Sequence, residues 1–205
     1  MINGANMSCK INTKQILTLI SPIPCSVNHY IKPRPFIIDG KAQVTMYETA
    51  EAKKYKKDFT KYIKKQVKIQ NFNVTLNKAQ HFYCDCVFYF DSIGKDANNY
   101  FKLLLDSITD SQCIWLDDNV VCERVNAIYY DDKSPRIEIN IYPVDYIGIF
   151  QNQEQLDIFV YNCIHCNHYE EGKCILLNKA KEGRIQEEII NNKCTKFKSI
   201  KRFNQ

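Results

Sequence analysis

The chain has 205 residues, enough for one ordinary domain and a small appendage. Hydrophobic residues make up 45% and charged residues 25%, a balance that excludes a disordered chain and points to a packed core. The net charge of +5 favours a polyanionic partner only mildly. No run reaches the roughly 20 apolar residues of a membrane helix, and residues 1–15 lack the apolar centre of a signal peptide. A cytoplasmic location is therefore expected, with no membrane partner. The 10 cysteines then read as free thiols or metal ligands rather than disulfides.

Lys14 to Ser21 reads as a strand rich in β-branched residues. Prolines 22, 24, 33 and 35 exclude a helix from Ser21 to Pro35 and predict an extended loop. Asp39-Gly40 is a turn signal, and Thr45 and Met46 end a short strand. Glu48 to Lys68 is predicted as a helix, because Tyr55, Phe59, Tyr62, Ile63 and Val67 recur at three- and four-residue steps. Its other faces carry lysines, among them Lys53, Lys57, Lys61 and Lys64. Such a face is either simply solvated or a surface that follows phosphates.

Gln80 to Phe90 is predicted as an aromatic strand, ended near Gly94. Asp96 to Thr109 is predicted as a second helix, with Tyr100, Phe101, Leu104, Leu105 and Ile108 facing the core. Asn119 to Tyr130 and Arg136 to Tyr142 read as two antiparallel strands around the turn Asp131 to Pro135. Asp145 to Asn162 is an aromatic connector. Beyond it the chain becomes polar, basic and cysteine-containing, which places a boundary near residue 150. The expected architecture is α+β: domain 1–150 with a mixed sheet and two main helices, and a small module in 151–205.

Asp96 opens the second helix, and Asp117-Asp118 follow its far end. Carboxylates brought together there would suit Mg²⁺, which takes hard oxygen ligands and keeps several waters. Such an ion can activate water and neutralise a phosphodiester under in-line attack. Asn98 and Lys102 share a helical face, so Lys102 can stabilise charge on a transferring phosphate. Each residue also has a local explanation: Asp96 as a helix cap, Asp117-Asp118 as a turn, and Lys102 with Asp106 as a surface ion pair.

The run Asp96-Ala97-Asn98-Asn99-Tyr100-Phe101-Lys102, with Leu105-Asp106 and Ile114-Trp115-Leu116-Asp117-Asp118, resembles the signature of RusA-type Holliday-junction resolvases. Pro22, Pro24, Ser26, Asn28 and Tyr30 are similar to that family's first loop, and Pro135 to Ile139 to its closing hairpin. The resemblance covers about residues 14 to 143. It implies a homodimeric Mg²⁺-dependent endonuclease acting on branched DNA such as four-way junctions, in recombination and repair. Asp96, Asp117 and Asp118 would bind the metal and Lys102 would be catalytic. Asn98 stands where the family has its second Asp, and an Asn oxygen ligates without bringing charge. Asp85, Asp91 or Asp106 would then compensate, or the protein would bind branched DNA with weak catalysis. Lys32 and Arg34 in the proline loop, with the lysine helix, would hold the DNA arms. Tyr30 and Phe36 would stack on opened bases or simply pack the loop.

Outside this resemblance, Cys163, Cys166, Cys174 and Cys194 give the spacing C-x₂-C-x₇-C-x₁₉-C. Four thiols so arranged read as a metal site, for Zn²⁺ first and an iron–sulfur cluster second, with His165 and His168 as possible substitutes for a thiolate. Lys193, Lys196, Lys198, Lys201 and Arg202 make this tail basic. Cys84 and Cys86 alternate on one strand face and read as small core residues, while Cys9, Cys25, Cys113 and Cys122 show no ligand spacing.

Overall fold

The structure, a computed structural model, describes residues 15–73 and 80–200. Lys14, Cys9, Lys201 and Arg202 lie outside the described residues. The fold is α+β, built on a mixed four-stranded sheet with strand order β1-β6-β4-β5. Its strands are β1 (Leu17–Pro22), β4 (Phe82–Phe90), β5 (Val121–Tyr130) and β6 (Arg136–Pro143). Two long helices, α2 (Ala50–Ile69) and α3 (Asn98–Thr109), carry the apolar faces predicted from their periodicity.

β4 explains most of the core. Its residues alternate strictly between buried and half-buried, so Phe82, Cys84, Cys86, Phe88 and Phe90 all point to one face. That face packs against Phe59 and Ile63 of α2 and Phe101, Leu104 and Ile108 of α3. Cys84 and Cys86 are fully buried there with sulfurs 3.9 Å apart, as their alternation implied. β1 is an edge strand closed by side chains of α2: Gln70 exchanges hydrogen bonds with the Thr18 backbone, and Tyr62 Oη accepts from the Ile20 N–H.

Three expectations are corrected. The proline segment is not a plain loop. Val27–Tyr30 forms one helical turn (α1), and Ile31–Ile38 forms β2, paired antiparallel with β3 (Lys41–Glu48). Pro33 and Pro35 are two residues apart, so both turn their missing N–H to the same unpaired edge. The turn between these strands is Asp39-Gly40, both with positive φ, as a two-residue hairpin requires. Second, β5 and β6 run in opposite directions but do not form a hairpin pair. β4 lies between them, parallel to β5 and antiparallel to β6. Third, the connector after Asp145 contains α4 (Gln153–Cys163), capped by the Asn152 side chain on the Gln155 N–H.

A second cluster of buried residues, separate from the sheet core, joins Phe150, Leu156, Phe159 and Cys163 to Leu177 and Ala180 of α5 (Ile175–Lys181). Two short strands, β7 (Ile189–Ile190) and β8 (Lys193–Cys194), complete this part. Gly148 is required where the chain passes against the end of α5. An added Cβ would collide with the Ala180 carbonyl, which already accepts the Ile149 N–H at 3.0 Å.

Candidate active site

α3 opens on Asp96, whose Oδ1 accepts the Asn98 N–H at 3.0 Å. The helix itself begins at Asn98, with Ala97 at the cap position. Asn98, Lys102 and Asp106 follow at four-residue intervals and so share one stripe outside the apolar face. Lys102 Nζ donates to Asp106 Oδ1 at 2.7 Å and lies 3.7 Å from Asp118 Oδ2. Asp106, then Asp118, outweigh the partial burial of Lys102 and hold its pKa above the ordinary value. Lys102 is therefore a fixed cation rather than a base.

Asp118 reaches that lysine because of the linker before it. Ile114 and Trp115 are fully buried, Trp115 packs on Phe82, and its Nε1 donates to Thr109 Oγ1 at 2.8 Å. The chain is thus pinned along α3 before a single 3-10 turn, Asp118–Val120, whose cap is Asp117. Asp117 Oδ1 accepts the Asn119 N–H at 3.0 Å. Asp96 and Asp117 each commit Oδ1 to a backbone N–H, and among the described residues Oδ2 of each accepts no further hydrogen bond.

The structure extends this cluster through residues the sequence did not single out together. Tyr30, read as either stacking on opened bases or packing its loop, is buried, as the packing alternative requires. Its hydroxyl lies 2.6 Å from Asp106 Oδ2 and 3.0 Å from Glu48 Oε1. Burial, and then these two carboxylates, push the phenol's pKa up, so it stays a donor. Glu48 continues to Lys56 at 3.2 Å, and Lys56 to Asp110 at 3.2 Å. A polar chain therefore runs from Asp118 through Lys102, Asp106, Tyr30, Glu48 and Lys56 to Asp110. Glu123 on β5 also belongs to this region. Burial, and then the charge of Asp118, raise its carboxyl above the ordinary value. No local motif marks Glu48 or Glu123, since each meets its partners only through the fold.

Of the acids named as compensation for Asn98, only Asp106 enters this cluster. Asp91 pairs with Lys95 at 2.6 Å. Asp85 alternates with Cys84 and Cys86, so it points to the sheet face opposite α3, where Arg124 donates at 2.6 Å and Tyr142 at 2.9 Å. Asp96 has no contact with Asp118 among the described interactions. Nor do any three His, Cys, Asp or Glu side chains among the described residues form a ready cage for an ion.

The basic residues divide. Lys53, Lys57, Lys61 and Lys64 are exposed on α2, and the last three line a shallow groove with Lys56, Thr60 and Asp110. Lys54 is tied to Asp58 at 2.7 Å. Lys32 and Arg34 are exposed on alternate positions of β2, hence on one face of the ribbon, while Phe36 is half-buried. In the C-terminal part, Cys163, Cys166, Cys174 and Cys194 all line one cavity, as does His168. Burial, then the neighbouring thiols of Cys174, Cys194 and Cys166, push Cys163 up to about 11. His165 instead packs edge-on against Tyr161.

Comparison with protein families places this mixed sheet and its helices in a nuclease class. The family model for endodeoxyribonuclease RusA matches residues 26–142, more than half of the chain. The chain belongs to the RusA endodeoxyribonuclease family, whose activity is that of Holliday-junction resolvases. The matched span contains Tyr30, Glu48, Lys102, Asp106, Asp118 and Glu123, and ends before the four-cysteine segment. No curated protein matches the chain. Among the described residues, no helix is long and apolar enough to cross a membrane.

Proposed function

We propose that this protein is a Mg²⁺-dependent, structure-specific endonuclease that resolves four-way junctions and related branched DNA in recombination and repair. The observation that carries this reading is Lys102 held between Asp106 and Asp118, inside the span matched by the family. The donor chemistry fits a hard divalent ion. Asp118 and Glu123 are close enough to repel, which a cation would relieve, and Asp96 and Asp117 each offer an open oxygen. Asp96, Asp117 and Asp118 would hold Mg²⁺, with Glu123 beside them. Bound there, the ion would supply an activated water and charge neutralisation at the phosphate.

Lys102 places a permanent positive charge beside Asp118, where a phosphoryl oxygen gains charge during attack. Asp106 and Tyr30 fix the lysine's direction. Lys53, Lys57, Lys61 and Lys64 on α2, with Lys32 and Arg34 on the β2–β3 ribbon, contact the DNA arms through phosphates, and the charge on these exposed side chains suits that role. The active form is a homodimer, since a two-fold symmetric junction needs two equivalent cuts. Residues 1–150 form the nuclease domain and 151–205 the connector and cysteine module, working in the cytoplasm.

Asn98 favours a second reading, a junction binder with weak catalysis, because it lies on the Lys102 stripe without bringing charge. A synthetic four-way junction incubated with the protein and Mg²⁺ separates the two. Paired, symmetric nicks at a junction, with linear duplex left intact, are expected. Tight binding with no cutting, and cutting gained in Asn98→Asp, would instead establish the binder. An intact junction with no binding would overturn both.

A further inference from the structure

The C-terminal module is built as if around a bulky group. α4 ends at Cys163, and the next turn carries Cys166. A tight turn at Glu171-Gly172, both with positive φ and closed by the Glu170–Lys173 bridge, delivers Cys174 to the cap position of α5. A second turn at Asn191-Asn192, again with two positive φ values, joins β7 to β8 and delivers Cys194 opposite Ile189. The terminal strand then folds back over the first knuckle. The Asn167 N–H donates to the Lys198 carbonyl at 2.7 Å, and the Ile200 N–H to the His165 carbonyl at 3.0 Å. This return places the Lys198 N–H 3.4 Å from Cys166 Sγ, aimed at the sulfur.

All four cysteines line the same cavity of about 570 Å³, and Cys174, Cys194 and Cys166 are close enough to act on the Cys163 thiol. Its remaining wall is largely apolar, from Phe159, Tyr169, Leu177 and Phe197, with Lys193 and Lys196 also lining it. The size and lining of this cavity discriminate between occupants. A tetrahedral zinc ion with Zn–S bonds of about 2.3 Å draws its four sulfurs to within about 3.8 Å of one another. A cavity of about 570 Å³ leaves more room than so tight a cage fills. A cubane cluster takes one thiolate at each of its iron corners, which the metal–sulfide core holds well apart. It also wants an apolar wall, N–H donors to sulfur and nearby cations to offset its negative charge.

We propose that Cys163, Cys166, Cys174 and Cys194 hold a [4Fe–4S] cluster. Each thiol gives up its proton on ligation, and ferrous and ferric iron in equal amounts assemble with sulfide into the oxidised core with no net electron transfer. The cluster ties α4, both tight turns and the terminal strand together, and so fixes the fold of a module with few buried side chains.

The test is the metal content of the full-length chain, purified without oxygen or reconstituted without oxygen from equal amounts of ferrous and ferric iron and sulfide. About four iron and about four acid-labile sulfide per chain are expected, with a broad visible absorption that bleaches on reduction. Cys174→Ser and Cys194→Ser should lose most of the iron, while Cys122→Ser, outside the cavity, should keep it. Zinc at about one per chain without iron would overturn the proposal, as would a reconstituted wild-type chain that retains neither iron nor sulfide. Because the wild-type content decides, a variant that fails to fold leaves the test intact.

Discussion

A single hydroxyl organises the candidate site. Tyr30 is 3% exposed and touches both Asp106 and Glu48, so it couples the turn before β2 to the end of β3 and the middle of α3. Tyr30→Phe leaves both carboxylates without their shared donor. The expected cost is about 1–3 kcal/mol, read from urea unfolding midpoints, together with a fall in junction cleavage as Lys102 loses its fixed direction. An unchanged midpoint would show that the hydroxyl contributes nothing.

Asp85 provides a separate pH signature on the other sheet face. Burial opposes its ionisation, but Arg124 and Tyr142 prevail and hold its carboxyl below the ordinary value of 3.8. A carboxyl lowered in the folded state stabilises above its unfolded pKa, and that contribution is lost as pH falls through the folded pKa. Asp85→Asn should therefore be less stable than the wild type at neutral pH, with the two converging below about pH 4. Unfolding midpoints measured down the acid range check this; a constant gap would contradict it.

Among the elements, legibility followed range along the chain. The alternation of Phe82 to Phe90 and the three- and four-residue steps of Tyr55 to Val67 are local, so β4, α2 and α3 could be read directly. β2 could not, because Pro33 and Pro35 signal a loop unless the partner edge is known. The insertion of β4 between β5 and β6 depends on pairing across the whole domain, which no local pattern encodes. The same holds at the site. Asp96, Lys102 and the Asp117-Asp118 doublet stand out along the chain, whereas Tyr30, Glu48 and Glu123 acquire their partners only in space. Gly148 is a similar case. It sits at φ +57 against the Ala180 carbonyl. Gly148→Ala should destabilise the packing of α5 by at least about 1 kcal/mol, seen as faster proteolysis after residue 147. Unaltered digestion would mean that α5 is not held there.

The molecule as a whole combines two cores with different supports. The sheet core, from Leu17 to Ile141, is large and apolar and positions Lys102 and Asp118 on its rim. The smaller cluster, beginning near Ile147, surrounds the four-cysteine cavity. The lysine face of α2 and the basic β2–β3 ribbon, the surfaces proposed to bind DNA, carry neither Lys102 nor Asp118, so the proposal predicts that DNA binding and cleavage separate. Lys102 is exposed and Asp118 half-buried, and neither belongs to the buried core cluster, so changing them should spare the fold. The most direct measurement is cleavage and binding of one labelled four-way junction in Mg²⁺ by the wild type, Lys102→Ala and Asp118→Asn. The expected result is binding close to wild type with cleavage reduced about 100-fold or more in each variant. Cleavage at the wild-type rate in both would contradict the assignment of Lys102 and Asp118 as the reaction centre.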